Sequence, residues 1–323
     1  MEKNELKTNY ENYLPRYRRA AANLREALSL FLDEQAIPYL AILARVKEFE
    51  SFFEKTVAKN YSDPFLENTD FVGLRVVLYF PKDIVRVADV IQTEFDVIES
   101  EDKADQFDVN EFGYRSHHML VRVKSEWLST PNYRGLDGIT IEIQVRTVLM
   151  HAWAEIEHKL QYKSKEQVPR ELQRKLFLLS AKFEEADGQF QDLKGDIDHY
   201  RQAIAEKVEQ AGAFDPALEL NLDTLKELLR FFYPNHPQHD GIANNVFNKI
   251  EKRGLALADL IDAVEHLKPF EQELQRKVSS TLAAAAMLGY ALEIFVPGYW
   301  DSAKCSKSRN RIISEMRSIV MKH

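Results

Sequence analysis

A single cysteine, Cys305, stands in 323 residues, so the chain holds no internal disulfide and suits a reducing compartment. No apolar run approaches the ~18 to 20 residues that a membrane span requires. The start, MEKNELKTNYENYLPRYRRA, lacks the apolar h-region of a signal peptide. Internal repeats and low-complexity segments are missing as well. Positive charge is in deficit: 43 basic against 51 acidic residues leave a net charge of -8, which argues against a protein that coats nucleic acid non-specifically. The Gly-x-x-x-x-Gly-Lys-Ser/Thr loop of P-loop NTPases does not occur. With 45% apolar residues, the chain is expected to be a soluble, cytoplasmic protein of two domains.

What is present divides into two halves of different character. Residues Asn12 to Lys59 read as mostly helical, with Leu24, Leu28, Leu30, Phe31, Ile42 and Leu43 at helical spacings and Pro38 interrupting or starting a helix. DFVGLRVVLYF, Asp70 to Phe80, is a nearly continuous apolar run and reads as a central strand buried on both faces. KDIVRVADVIQTEF follows as an amphipathic helix. HHMLVRV is a second strand and ITIEIQVRT a third, whose strict alternation sends Ile141, Ile143 and Val145 one way and Glu142, Gln144 and Arg146 the other. VLMHAWAEIEHKLQYK is the next helix. These elements imply an α/β or α+β domain with a central sheet and flanking helices. From Pro169 onward helical periodicity dominates, with an alanine-rich stretch at Ala283 to Ala286 and a clear loop at Phe232 to Gly241. The expected division is 1–200 and 201–323.

Several polar groups sit where a core would not place them. Asp70 opens a very apolar strand, and Glu142 lies on the polar side of the third. Two carboxylates on adjacent strands suit one Mg²⁺, which usually completes its shell with phosphate oxygens. A solvated sheet face would give the same alternation, and strand order is not readable from spacing. In RVKEFESFFEK, Lys47, Ser51 and Lys55 lie four residues apart, so on a helix they share a face and form a polyphosphate cradle or an ordinary basic stripe. EFGYRSHHMLVRV crowds Gly113, Tyr114, Arg115, Ser116, His117 and His118 at the mouth of a strand. Gly113 lets the backbone approach a ligand, and Tyr114 is placed to stack on a base, as are the guanidinium planes of Arg45 and Arg75. His151, Glu155 and His158 fall on one helical face, but the His-Glu-x-x-His pattern is missing, and a structural His/Glu pairing is the better reading. Gln238 to Asp240 is too short for a metal-hydrolase site, and Cys305 has no paired base.

Four ordered blocks, RVKEFESFFEK, DFVGLRVV, GYRSHH and EIQVRTVLMHAWAEIEHKLQYK, resemble the synthetase domain of the RelA/SpoT family over roughly residues 40 to 165. That family transfers the β,γ-pyrophosphate of ATP to the 3′-hydroxyl of GDP or GTP, making the alarmones ppGpp and pppGpp and releasing AMP. The resemblance implies a nucleotidyltransferase-like mixed sheet between helices, followed here by an all-helical region. It implies that Arg45 and Arg75 sandwich the adenine of ATP while Lys47, Ser51 and Lys55 hold its phosphates. Asp70 would bind Mg²⁺, and Glu142 would aid the metal or accept the proton of the attacking hydroxyl. Tyr114 would stack on the acceptor base, His118 would sit near the acceptor or the transferring phosphates, and Gln144 and Arg146 would support them.

Two departures fall on the acceptor side. Asn110 stands where small alarmone synthetases usually carry a lysine for the acceptor's 5′ phosphates, and His151 stands where an asparagine often faces the guanine. They keep open a second enzyme, the toxic family members that pyrophosphorylate the 3′-terminal adenosine of tRNA. That substrate needs a basic surface, for which Arg16 to Arg19 and the tail KCSKSRNRIISEMRSIVMK are candidates. A third reading is a non-catalytic nucleotide-binding regulator, against which the retained Asp70 and Glu142 argue. Only some 40 residues precede Arg45, too few for the hydrolase domain of the family's long members, so alarmone hydrolysis is not expected. The helical region is expected to serve oligomerisation or a regulatory partner. Phe231, Phe232 and Tyr233 there suit a contact surface or, more simply, a helix end packed on its own core.

Overall fold

The computed structural model describes residues 3–102, 116–160, 170–278, 281–299 and 301–322. Two compact units divide the chain at Lys194 and Gly195.

The first unit is built on five strands, β1 (Tyr39–Val46), β2 (Val72–Leu78), β3 (Asp96–Asp102), β4 (His117–Arg122) and β5 (Ile141–Thr147). Among the described residues they form one sheet in the order β1-β2-β5-β4-β3. The sheet is mixed, with β2 and β5 parallel and every other pair antiparallel. The parallel pair is central, as its sequence predicts: β2 is apolar at every position but Arg75, and all of it except Arg75 is buried. Val72, Leu74, Val76, Ile141, Ile143, Val145, Met119 and Val121 make one wholly aliphatic face. Packed against it are Leu24, Leu28 and Leu32 of α1 (Lys3–Glu34) and Val87 and Ile91 of α4 (Lys82–Glu94).

An aromatic cluster closes one end of this core. Phe52 of α2 (Phe49–Lys59) meets Phe71 at 4.8 Å between ring centroids and Phe65 of α3 (Pro64–Glu67) at 5.3 Å, and Tyr17 stacks on Phe71 at 4.7 Å. Asn60, in the left-handed conformation, ends α2 by returning its N–H to the Thr56 and Val57 carbonyls. Two helices follow the sheet, α5 (Val148–Leu160) and α6 (Arg170–Ala211), and the division between units falls inside α6.

The structure corrects two readings. Tyr39–Val46, read as helix, is strand β1, and Lys47 therefore lies before α2, on no helix at all. YLAILARV is made of good helix formers, but antiparallel pairing along Val72–Leu78 decides its conformation. The acidic strand β3 also escaped the sequence reading, since Asp and Glu are poor strand formers and tolerable there only because β3 is an edge.

The second unit is helical throughout its described residues: α7 (Leu222–Phe232), α8 (Asp240–Arg253), α9 (Leu257–Leu267), α10 (Glu271–Lys277), α11 (Ala284–Phe295) and α12 (Lys307–Val320). α11 is buried along nearly its whole length, and its alanines and Gly289 let neighbours approach closely. Tyr233 is buried and Phe231 and Phe232 pack on the same core, so these aromatics end α7 in the ordinary way. Among the described residues no helix is long and apolar enough to cross a membrane.

Candidate active site

Strand register assembles the site. Across the sheet, Arg45, Gly73, Glu142 and Leu120 are mutual partners in one row, and Leu43, Arg75, Gln144 and His118 in the next. Partners in a row share a face, so Arg45, Arg75, Glu142, Gln144 and His118 project together, opposite the aliphatic core. Val77 and Arg146 continue the pattern one row further. Gly73 lies between Arg45 and Glu142: a Cβ there would meet Arg45 Nε at 3.2 Å, so the bare glycine leaves room for the arginine stem to lie close over β2.

Glu142 is the hub. His118 Nδ1 lies 2.9 Å and Gln144 Nε2 3.2 Å from Glu142 Oε1, and Arg146 Nη2 donates to Gln144 Oε1. On its other side, His118 Nε2 lies 2.6 Å from Ser116 Oγ. Burial alone would raise the Glu142 pKa. The hydrogen bonds from His118 and Gln144, with the fields of His118 and Arg45, outweigh it and hold the carboxyl down at about 2. Glu142 is thus an anion under all physiological conditions.

A second cluster surrounds Asp70, just before β2. Lys47 Nζ stands 2.8 Å from Oδ2, and Lys55 Nζ of α2 stands 3.0 Å from Oδ1. Burial opposes ionisation of Asp70, but the two ammonium groups win and lower its pKa. Lys47 is held on both sides of its backbone, its N–H bonded to the Phe71 carbonyl at 2.9 Å and its carbonyl accepting from Tyr10 at 2.6 Å. Two cations against one anion leave this cluster net positive. Ser51, one turn before Lys55 on α2, is exposed.

α5 covers the other arginine. Arg75 Nη1 donates to Glu155 Oε1 at 2.6 Å and lies 3.3 Å from His151 Nδ1. Burial and the charges of Arg75 and Arg146 push the His151 pKa down, so the ring is neutral and accepts from Arg75. Arg45, Gly73, Arg75, Glu142, Gln144 and Glu155 line a cleft of about 240 Å³.

Of the residues singled out from sequence, Arg45, Arg75, His118, Glu142, Gln144, Arg146 and His151 come together on this face, and Lys47, Lys55 and Asp70 in the adjacent cluster. Tyr114, Gly113 and Asn110 lie outside the described residues. Ser116, which bonds His118, was not assigned a role. Neither was Gly73, for which a glycine inside a valine-rich strand was the available signal. The basic runs are engaged locally: Arg16 and Arg19 bond backbone carbonyls of residues 134–137, Arg309 pairs with Glu293 and Arg311 with Glu315.

A metal at this site is testable against the donors present. Among the described residues no group of three or more His, Cys, Asp or Glu is placed to hold an ion. Asp70 does present a part-buried, ionised carboxylate beside the two ammonium groups. Hard oxygen donors of this kind, few in number, fit Mg²⁺ that takes its remaining ligands from water and phosphate.

The chain is similar to known proteins in sequence and in fold. Residues 44–167 match the family described as the region found in RelA / SpoT proteins. The chain is 28% identical over 206 residues to GTP pyrophosphokinase YjbM of Bacillus subtilis (strain 168), covering 61% of this chain and 94% of that one. It is 31% identical over 135 residues to GTP pyrophosphokinase YwaC of the same organism, covering 40% and 61%. The crystal structure of small alarmone synthetase 1 from Bacillus subtilis bound to its product pppGpp superposes with a TM-score of 0.51 at 28% identity, over 59% of this chain and 99% of that one. The sheet, the polar face and these likenesses together identify residues 44–167 as a RelA/SpoT-family synthetase domain.

Proposed function

We propose that the protein transfers the β,γ-pyrophosphate of ATP to the 3′-hydroxyl of GDP or GTP, making ppGpp or pppGpp and AMP. The observation that carries this is Glu142, held ionised on the polar sheet face between Arg45 and His118 and bordering a cleft flanked by two arginines. The likeness to GTP pyrophosphokinases and to a synthetase bound to pppGpp supports the guanine acceptor.

In this reading the donor base lies between the Arg45 and Arg75 guanidinium planes, and the Lys47–Lys55 cluster faces its phosphates. Asp70 and Glu142 would hold Mg²⁺, which when bound supplies charge neutralisation at the phosphate oxygens. The acceptor's 3′-oxygen bonds to the β-phosphorus, the bridge between the α- and β-phosphorus atoms breaks, and AMP leaves with the bridging oxygen. The transferring group is already polyanionic, so positioning and electrostatics carry most of the rate. A carboxylate with a pKa near 2 is too weak a base to ionise a sugar hydroxyl before attack. Glu142 therefore orients the hydroxyl and takes its proton late, as the new bond forms. His118, already bonded to Glu142, keeps that carboxylate aimed.

The test is transfer of label from ATP labelled at the γ-phosphate, with Mg²⁺, to GDP, GTP, GMP or deacylated tRNA offered separately. The expected result is label in GDP or GTP, equimolar AMP, and loss of both in Glu142→Gln. Label on tRNA alone, or ATP bound with no transfer to any acceptor, overturns it.

A further inference from the structure

Glu155 borders the cleft, yet the transfer above gives it no part. α5 carries it one turn after His151 on the same helical side, and its carboxyl stays 57% exposed. Oε1 accepts from Arg75 Nη1 at 2.6 Å and stands 3.9 Å from His151 Nδ1. Among the described residues Oε2 makes no hydrogen bond. The cleft that Glu155 shares with both arginines is about 240 Å³, below the ~300 to 1,000 Å³ of pockets that enclose whole drug-sized ligands, so it suits one ring system.

Stacking between two guanidinium planes holds a base but does not choose one, because every base offers a π-face. Selection must come from a group at the base's edge. A carboxylate only accepts hydrogen bonds. It is satisfied by an exocyclic amino group and opposed by a ring carbonyl, which would set two acceptors against each other and leave a charge unpaired. Gln144 Oε1 already accepts from Arg146, and Glu142, bonded through Oε1 to His118 and Gln144, is committed in this reading to the acceptor hydroxyl and the metal. Glu155 is the acceptor that no other role in this reading engages.

Resting on the reading that the donor base occupies this cleft, we propose that Glu155 is its specificity-determining residue. Through Oε1 it fixes the Arg75 plane, and through Oε2 it accepts from the C6 amino group of an adenine. The site thereby favours a purine with an amino edge over one with a keto edge as pyrophosphate donor.

The experiment compares ATP with ITP, which differ at that edge, first by calorimetric binding and then as γ-labelled donors to GDP, in the wild type, Glu155→Gln and Glu155→Ala. The wild type is expected to favour ATP by about tenfold or more, since an edge mismatch strands a polar group. Glu155→Gln, whose amide can donate to a carbonyl, narrows that ratio. Glu155→Ala weakens donor binding and narrows it too, with the loss falling on the donor KM. Equal binding of ATP and ITP to the wild type, or an unchanged ratio in Glu155→Gln, overturns the proposal. ATP preferred in binding but no transfer to GDP or GTP overturns the enzymatic reading instead and leaves the selectivity standing.

Discussion

The Thr147 hydroxyl, at the end of β5, donates to the Asp187 carboxylate of α6 at 2.5 Å, and both side chains are buried. The same hydroxyl accepts from the Met150 N–H at 3.1 Å, so one oxygen starts α5 and anchors α6. Burial raises the Asp187 pKa despite this bond. A raised carboxyl pKa contributes stability that is present below the ordinary value of 3.8 and is lost as pH rises through the folded value. Asp187→Asn removes the buried charge and keeps an acceptor, so at neutral pH it should be neutral or stabilising. Thr147→Val strands the carboxylate and should cost about 1 to 3 kcal/mol. Urea unfolding of both variants checks the pair; equal losses would show that the charge itself is not the cost.

Glu142 has the opposite sign. Its pKa falls from 4.5 to about 2, so its contribution to stability is complete above about 4.5 and fades as pH falls toward 2. Glu142→Gln should therefore be less stable than the wild type at pH 6, and the gap should narrow at pH 3. Its transfer rate should drop by about 10² to 10⁴, the range for a lost proton acceptor. Denaturant midpoints at the two pH values and a single-turnover assay separate the two effects.

Gly73→Ala tests whether the glycine serves Arg45. Strand interiors generally favour alanine over glycine by about 0.5 to 1 kcal/mol, so stability should hold or rise. ATP affinity should still fall by about tenfold, or ~1.4 kcal/mol, as the Cβ lifts the Arg45 stem. Unchanged ATP binding in a folded variant would remove Arg45 from the donor site.

In the helical unit, Glu293 of α11 is 3% exposed and receives Lys249 at 3.1 Å and Arg309 at 2.7 Å. The Arg309 guanidinium also lies over the Tyr290 ring at 4.2 Å, which Gly289 leaves room for. Glu293→Ala leaves two part-exposed cations without their anion and should cost about 1 to 3 kcal/mol. Glu293→Gln, which keeps one acceptor for Arg309, should cost less. Hydrogen exchange at α11 and α12 reads the loss directly.

What the chain announced by itself was local. The period-2 alternation of ITIEIQVRT assigned Glu142, Gln144 and Arg146 to one face, because neighbouring side chains on any strand must diverge. The apolar run at Asp70 marked a doubly buried strand, and the loss of strand patterning after Pro169 marked the helical half. The ordered blocks also identified the family. Tertiary structure decided everything that depends on which strands are neighbours. β1 became a strand only by pairing with β2, moving Lys47 off the helix where its spacing had put it. The row Arg45, Gly73, Glu142 joins positions 28 and 69 residues apart, and no local propensity encodes such a register. The partners of each charge were likewise set in space: Lys47 and Lys55 on Asp70, His118 on Glu142, Glu155 on Arg75. Sequence supplies the charges, but only the fold sets the distances and burial that determine which of them stay ionised and what they hold.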